Sequence, residues 1–595
     1  MEISLFSASA VFQGALPHPV FIMTSLGPIF ADDLARVKPG DRLRLTISAQ
    51  TSDAAALAQA ALEARARGER VLVVCADPAD VPRLAQEMPW FEPNLDVRPL
   101  PDWETLPYDV LSPQEELVSE RLEALYRLTA PTGGADVLLT SAVTASQRLS
   151  PVSYIGANTF FFHQGEQISL TTLQKRLAAA GYANVKQVLA AGEFAVRGSI
   201  VDVFPMGSER PFRLDFFDDE IESIRWFDVD TQRSMESAEE IRLLPGHEFP
   251  VDPEALLAFR QRWRREFAGD PKKSIVYCDI EKEILPPGIE YYLPLFFDET
   301  AALTDYLPPN ARVFLLGDIE AALQAFGRDM ASRYKVLAAD PQRPALAPER
   351  IWLKPEEFFK SLANFARFTV EKKENAEDLK CLSGIEVDRK SQNPVGKLLE
   401  RTRESAMKGV RTLIAAPSAG RMETMSQLLR TGGLSVEEFS DWQTFLEADS
   451  SLGISAAPLF SGAVFHHPEI VILSEAELYA ASPRRHRLRR VKHATTLEMM
   501  VRDVAELKPG DAVVHADHGI GRYQGLVHME TPDGDAEFLE ITYKNDAKLF
   551  VPITNLQLIS RYAGADPEHA PLHQLGRGDW EKAKRKAAQE VRDTA

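Results

Sequence analysis

Short unbroken apolar runs mark the first 140 residues. "RVLVVCADP" (Arg70–Pro78) predicts a buried strand that ends at Asp77-Pro78, with a helical pattern following through Leu84. "ADVLLTSA" (Ala135–Ala142) predicts a second strand of the same kind. Runs of this length, apolar at successive positions, suit strands covered on both faces. Between them, "LSPQEELVSERLEALYRL" predicts a helix, with Ser112 as cap, Pro113 in the first turn and Glu115 completing a capping box. Val118, Leu122 and Leu125 recur on one face of it at helical spacing. The opening unit is therefore α/β.

From about Ile155 to Pro250 the texture changes to short strands. "EFAVRGSIVDVFP" and "RPFRLDFFDDEIESIRWFD" are dense in β-branched and aromatic residues, and Asp218-Asp219 is placed to turn one hairpin. Mixed α/β returns from Pro253 to about Lys372, with "ARVFLLGD" as a strand and "IEAALQAF" as a helix. The polar stretch Asn375–Pro394 predicts a linker. A smaller α/β unit follows, with strands at "RTLIAAP" and "EIVILSE". "SPRRHRLRRVKH" then carries six Arg/Lys within Arg484–Lys492, either a solvated linker or a contact for phosphate or a partner. Short strands resume from Leu507 to Tyr562. The closing "DWEKAKRKAAQEVRDTA" is an amphipathic helical pattern that runs out in mid-course, as expected of a piece of something longer. No repeat at solenoid period is present.

Bulk properties narrow this picture. A chain of 595 residues suits roughly three to five domains. Apolar residues make up 45% and charged ones 26%, as in folded protein. A net charge of −20 argues against a general nucleic-acid coat and favours protein partners with basic faces. Cys75, Cys278 and Cys381 form neither a metal pair nor a disulfide framework, which points to a reducing cytoplasm. No apolar run is long enough for a membrane span. The start lacks a basic region, so it does not read as a signal peptide; initiation at Met23 rather than Met1 is the expectation.

An α/β opening raises the question of nucleotide binding. A phosphate cradle needs glycines, then Lys and Ser/Thr. The loop placed to provide one, "LTISAQTSDAAALAQ" (Leu45–Gln59), contains no Gly and no Lys, and GxxxxGK[ST] occurs nowhere in the chain. "LDFFDDE" (Leu214–Glu220) imitates a Mg²⁺-binding strand end, yet a hairpin explains Asp218-Asp219 better. Strand alternation there puts Arg213, Asp215 and Phe217 on one face and Leu214 and Phe216 on the other. An aromatic beside an arginine is typical of interface hot spots, unless both faces are covered.

"HADHGIGRYQG" (His515–Gly525) invites three readings: a metal site, a dinucleotide loop and a tight turn. In a strand, His515 and His518 point to opposite faces, and no cysteine is near. Gly519, Gly521 and Gly525 are spaced GxGxxxG, without a βαβ strand before them. A small barrel fits, with "KPGDAVVH" turning into a strand and "AEFLEITYKNDAKLFVPI" giving two strands around Lys544-Asn545-Asp546. GxSxG and HExxH are absent, and "HH" at His466-His467, before Pro468, reads as an isolated loop.

"DWETLPYDVLSPQEELVSERLEALYRL", "GEFAVRGSIVDVFPMGSERPFRLDFFDDEIESIRWFD" and "GDAVVHADHGIGRY…DAKLFVPITNLQLISRYAG" together resemble the transcription-repair coupling factor family, Mfd, in family order from about Leu45 to Ala595. The resemblance is weakest between about Glu374 and Met500. It implies a UvrB-homology module that has lost its nucleotide site and, since Pro107–Pro113 runs straight into a helix, the damage-probing hairpin of UvrB. It also implies a UvrA-docking domain whose contact positions match Arg197, Arg213 and Phe217. A Tudor-like domain shared with CarD-type regulators would grip the β subunit of RNA polymerase, with Met529, Arg522 and Leu526 at contact positions and Gly519 and Gly521 structural.

The expected fold class is α/β multidomain: a degenerate helicase-like α/β domain with an inserted β-rich α+β domain, a small α/β domain and a Tudor-like β-barrel. The boundaries expected are an N-terminal segment 1–44, part of it packing with domain 1B, domain 1A at 45–154, the UvrA-binding domain 2 at 155–250, domain 1B at 251–374 and a linker at 375–394. Domain 3 follows at 395–480, a basic linker at 481–500, the polymerase-interacting domain at 501–575 and a connecting helix at 576–595. The function implied is that of an adaptor recruiting UvrA to stalled polymerase, cytoplasmic and without catalytic, metal or cofactor residues. ATP, Mg²⁺ and most DNA contact would belong to a translocase beyond Ala595, whose absence would leave the UvrA surface unmasked. The alternatives are a UvrB-like helicase with a divergent nucleotide site and a CarD-type regulator.

Overall fold

The computed structural model describes residues 36–49, 52–129, 134–229, 231–338, 340–388, 391, 393–466, 469–479, 510–515, 518–531, 534–552, 559–561 and 572. The basic stretch Arg484–Lys492, the C-terminal helical pattern and the region around Met23 lie outside them. The chain divides into two units, Met1–Ser482 and Pro483–Ala595.

The first unit begins with strands β1 (Arg42–Ser48), β2 (Val71–Cys75), β3 (Val97–Pro99) and β4 (Val137–Ser141). The chain then leaves to build β5 (Phe160–His163), β6 (Ala183–Asn184), β7 (Glu193–Arg197), β8 (Ile200–Val203), β9 (Phe212–Phe217), β10 (Glu220–Phe227), β11 (Ser234–Ala238) and β12 (Glu240–Leu243). It returns as β13 (Arg312–Leu316) and β14 (Ala366–Lys373), which complete a parallel sheet in the order β1-β14-β13-β2-β4-β3. Residues 312–373, which the sequence set apart within 251–374, thus supply central strands of the opening sheet. The physical reason is that β2, β4 and β13 are buried at every position and mostly apolar, so they are stable only where both faces are covered. Leu72, Val74, Leu138, Val313 and Leu315 enter one core; Val71, Val73, Val137, Leu139 and Phe314 enter the other.

One local difference follows from a tertiary contact. The predicted helix runs Glu115–Thr129 and buries Val118, Leu122 and Leu125 as expected, but Ser112 does not cap it. The Ser112 hydroxyl donates to the Glu290 carboxylate (2.8 Å) and accepts from the Gly288 amide (3.0 Å), so a distant segment claims it. Residues 100–114 connect β3 to this helix without a strand.

The inserted strands form an antiparallel array, β11-β10-β9-β8-β7, extended by a parallel β7–β6 pair; β5 and β12 make a separate two-stranded sheet. The hairpin at Asp218-Asp219 is as predicted: Phe217 pairs with Glu220, and Asp218 adopts φ 53°. A buried ion pair locks the insertion to the sheet. Arg121, fully buried on the Glu115–Thr129 helix, binds Glu248, the Pro101 carbonyl (2.7 Å) and Gln147 (2.9 Å), while Trp103 donates its indole N–H to Glu248 (3.3 Å). Removing one member of such a pair costs about 3–5 kcal/mol, because the other charge stays buried.

A second, largely parallel sheet follows, built from β15 (Arg411–Ala416), β16 (Glu437–Phe439), β17 (Leu452–Ala456), β18 (Ala463–His466) and β19 (Glu469–Ser474) in the order β16-β17-β15-β19-β18. Trp442 fixes it to the first sheet, packing against Trp90 and Phe91 of the Asp80–Phe91 helix, and the Phe460 amide donates to Glu87 (3.1 Å). The stretch 375–394 is more than a linker. Asn375 caps an Ala376–Leu382 helix, Ile385 is fully buried, and buried Asp378 meets His466 Nε2 at 3.1 Å. Ile385, with Cys381, Leu382 and Val387 packed beside it, is enough to seat this polar stretch against the sheet. His466 is accordingly a strand residue with a partner rather than an isolated loop histidine.

The second unit is a five-stranded antiparallel sheet of β20 (Ala512–His515), β21 (Gly519–Thr531), β22 (Gly534–Thr542), β23 (Lys548–Pro552) and β24 (Ile559–Arg561), in the order β23-β22-β21-β20-β24. Val513, Tyr523, Leu539, Ile541, Tyr543 and Val551 form its core.

Candidate docking surfaces

Alternation along β9 sorts its side chains as the sequence implied. Leu214 and Phe216 are buried, and Phe217 is 69% exposed at the hairpin tip. Of the exposed phenylalanines among the described residues, Phe161, Phe217 and Phe550, it is the most exposed. On the neighbouring hairpin, Arg197 ends β7 exposed and donates from Nη2 to the Lys186 carbonyl (3.0 Å); Gly198 makes the turn with φ 63°. Ile200 and Asp215 pair across β8 and β9 and are half-buried, between Arg197 and Phe217.

Arg213 differs from the expectation of an open contact residue. Its Nε and Nη2 make a two-pronged ion pair with Asp202 (2.6 and 2.9 Å), directly across the ladder. Nη1 donates to the Gln232 carbonyl and the Ser234 hydroxyl, both at 3.2 Å, and the guanidinium lies over the Phe227 ring. The side chain is only 18% exposed, and Asp202 only 1%. The Asp202 partner, ahead of burial, holds the Arg213 pKa above its ordinary value. The face is therefore divided: Val188, Ala195 and Phe227 cover the end near Arg213, and the end with Arg197 and Phe217 is open. Sequence reasoning missed Asp202. Its signal was a single carboxylate inside the apolar run "SIVDVFP", where a buried charge demands a partner.

At the second candidate surface, the three glycines do separate jobs. Gly519 sits at φ 79° directly after the β20–β21 turn. At Gly521 a Cβ would fall 2.5 Å from Ile541 Cγ2, so only a bare backbone fits across the core. Gly525 (φ 141°) adjoins the bulge in the β21–β22 ladder. Arg522 donates to the Gly510 carbonyl (2.7 Å), tying β21 to the turn before β20. The backbone positions of Leu526 and Met529 pair with Leu539 and Ala536, and their side chains lie outside the described residues. His515 and His518 do not point apart as a straight strand requires: the tight turn brings their rings to 4.7 Å. Among the described residues, no group of three or more His, Cys, Asp and Glu is arranged to hold a metal ion.

The Asp53–Ala66 helix begins within the stretch Leu45–Gln59, and its Ser52 cap accepts from the Ala55 amide. A carboxylate belonging to the protein itself fills this end. Asp53, 3% exposed, is held by Arg83 (both prongs 2.8 Å) and Lys372 (2.6 Å). Burial pushes its pKa upward, but the two cations prevail and hold it at about 2.

Three family models match in sequence: the UvrB interaction domain over residues 160–249, the MFD D3 domain over 406–478, and the CarD-like/TRCF RID domain over 507–563. By domain content and order the chain is Mfd-like. It is 38% identical to the transcription-repair-coupling factor of Escherichia coli, with 88% of this chain and 46% of that protein covered. Against the same factor from Myxococcus xanthus it is 28% identical (83% and 43% covered), and against that of Bacillus subtilis 25% (81% and 42%). The chain spans about half the length of the curated relatives it matches. In this Mfd-like chain Arg197, Arg213 and Phe217 all fall within the UvrB interaction domain match, and Gly519, Gly521, Arg522, Leu526 and Met529 within the CarD-like match. Among the described residues no helix is long and apolar enough to cross a membrane.

Proposed function

We propose that this chain acts as an adaptor in transcription-coupled repair, in the cytoplasm, taking UvrA on its inserted domain and the β subunit of RNA polymerase on its second unit. The observation that carries the reading is the match to three Mfd-type modules in one order, with an exposed aromatic on the first of them. On this reading Phe217 and Arg197 contact UvrA. The CarD-like unit is a Tudor-like barrel that grips polymerase through the Arg522, Leu526 and Met529 region, with Gly519 and Gly521 as its framework. Domain 3, over 406–478, then stands between the two docking modules in sequence.

The chain as given is proposed to have no ATPase activity and to need no cofactor. Supporting this, the position where a P-loop would hold phosphate carries Asp53, and an anion placed there would meet a carboxylate already paired with the two nearest cations. ATP, Mg²⁺ and translocation on DNA are assigned to the part of the relatives that this chain does not cover. The helicase and CarD-only alternatives are not favoured, since either explains one module and leaves the others without a role.

The test is a pair of binding measurements on the whole 595-residue chain, with purified UvrA and with the polymerase β subunit. Binding to both, with Phe217→Ala weakening only the first, is expected. Binding to neither by folded protein overturns the proposal.

A further inference from the structure

Resting on the proposed UvrA-docking role of the inserted domain, we propose that Asp202 is a positioning residue of that face. It acts through Arg213, and the pair presets the surface that Arg197 and Phe217 present. Four observations converge. Asp202 is buried, and both its carboxylate oxygens are spent on Arg213. Arg213 in turn reaches the Gln232 carbonyl, and Gln232 adopts φ 57°, a left-handed conformation uncommon outside glycine. The Gln232 amide side chain donates to the Val188 carbonyl (3.4 Å). Two residues earlier, the Lys186 carbonyl accepts from Arg197.

One continuous chain of contacts thus joins the buried carboxylate to the exposed arginine, by way of the segment Lys186–Val188. The two-pronged pair consumes Nε and one N–H of Nη2, and the Gln232 and Ser234 contacts take both N–H groups of Nη1. Of the five guanidinium donors, one Nη2 hydrogen is left over from these contacts. Arg213 is therefore a fixed element of the face, at most touching a partner edge-on, whereas Arg197 and Phe217 project from it. A face ordered before encounter loses less conformational entropy on binding, which is how a buried pair can raise affinity without touching the partner.

The experiment measures the affinity of the intact chain for purified UvrA, with the thermal unfolding midpoint of each variant recorded alongside. The variants are Phe217→Ala, Asp202→Asn, Arg213→Ala and the double neutral replacement Asp202→Asn with Arg213→Gln. Expected are a tenfold or greater loss for Phe217→Ala at an unchanged midpoint, and a roughly fivefold or greater loss for Asp202→Asn. The double variant is expected to recover its midpoint, since no lone buried charge remains, yet not its affinity. Recovery of both would assign the pair to fold stability alone and overturn the inference, as would Asp202→Asn binding like the parent. No binding by the parent chain, or an unaffected Phe217→Ala, overturns the docking reading instead and takes the inference with it.

Discussion

At the scale of single residues, exposure separates side chains that the sequence alone treats alike. Arg197, Arg213 and Phe217 come from one resemblance, but their physical situations predict different outcomes. Phe217 is 69% exposed, so its ring contributes little to the buried core. Phe217→Ala should leave stability within about 0.5 kcal/mol of the parent and cost UvrA binding about 1.4 kcal/mol or more, at least roughly tenfold; calorimetric titration and thermal melts check both halves. Arg213→Ala strands the Asp202 carboxylate in the interior. The inserted domain should lose about 3–5 kcal/mol, visible as a shifted denaturant midpoint, and any lost UvrA binding in that single variant then reports unfolding as well as contact. Arg197→Ala removes one surface hydrogen bond, so a stability change under about 1 kcal/mol is expected.

Among whole elements, the strands and the hairpin at Asp218-Asp219 were legible because period-two alternation and turn residues are local signals. So was the pair of strands around Asn545, which takes the left-handed φ of 65° that its place in a turn suggests. Ser112 and the stretch 375–394 depart from their local signals for a common reason. A cap or a linker is defined by what is absent nearby, and here Glu290, Gly288 and the groove beside β18 and β19 arrive from far along the chain. The apposition of His515 and His518 is likewise a property of the turn. The crowding at Gly521 gives a prediction for β21: Gly521→Ala forces a Cβ against Ile541 and should destabilise the second unit by about 1–3 kcal/mol. Polymerase β-subunit binding should fall with it while UvrA binding is retained. Equal loss of both partners would show that the two docking activities are not separable.

For the molecule as a whole, the central consequence concerns nucleotide. Titrating ATP into the intact chain should give no saturable heat, and a measured dissociation constant in the micromolar range would revive an enzyme. The Asp53 cluster also sets an acid limit. Its folded pKa of about 2 lies below the ordinary 3.8, so its stabilisation is complete above the ordinary value and is lost as pH falls from there towards about 2. The shift is worth about 2 kcal/mol. The stability gap between the parent and Asp53→Asn should narrow by about that amount across this window, as measured by denaturant unfolding at successive pH values; a constant gap would mean that the carboxylate is not linked to folding.

By itself the sequence determined the alternation of strands and helices, the missing glycines and lysine of a phosphate cradle, the order of the modules and the kinship they carry. These are properties of neighbouring residues and of linear order. Only the tertiary structure decided that β13 and β14 stand in the middle of the opening sheet, that Arg213 is spent on a buried carboxylate, and that Asp53 closes the helix end against Arg83 and Lys372. Each of these is a choice among partners distant in sequence, settled by which pairing leaves the fewest apolar faces wet and the fewest charges alone.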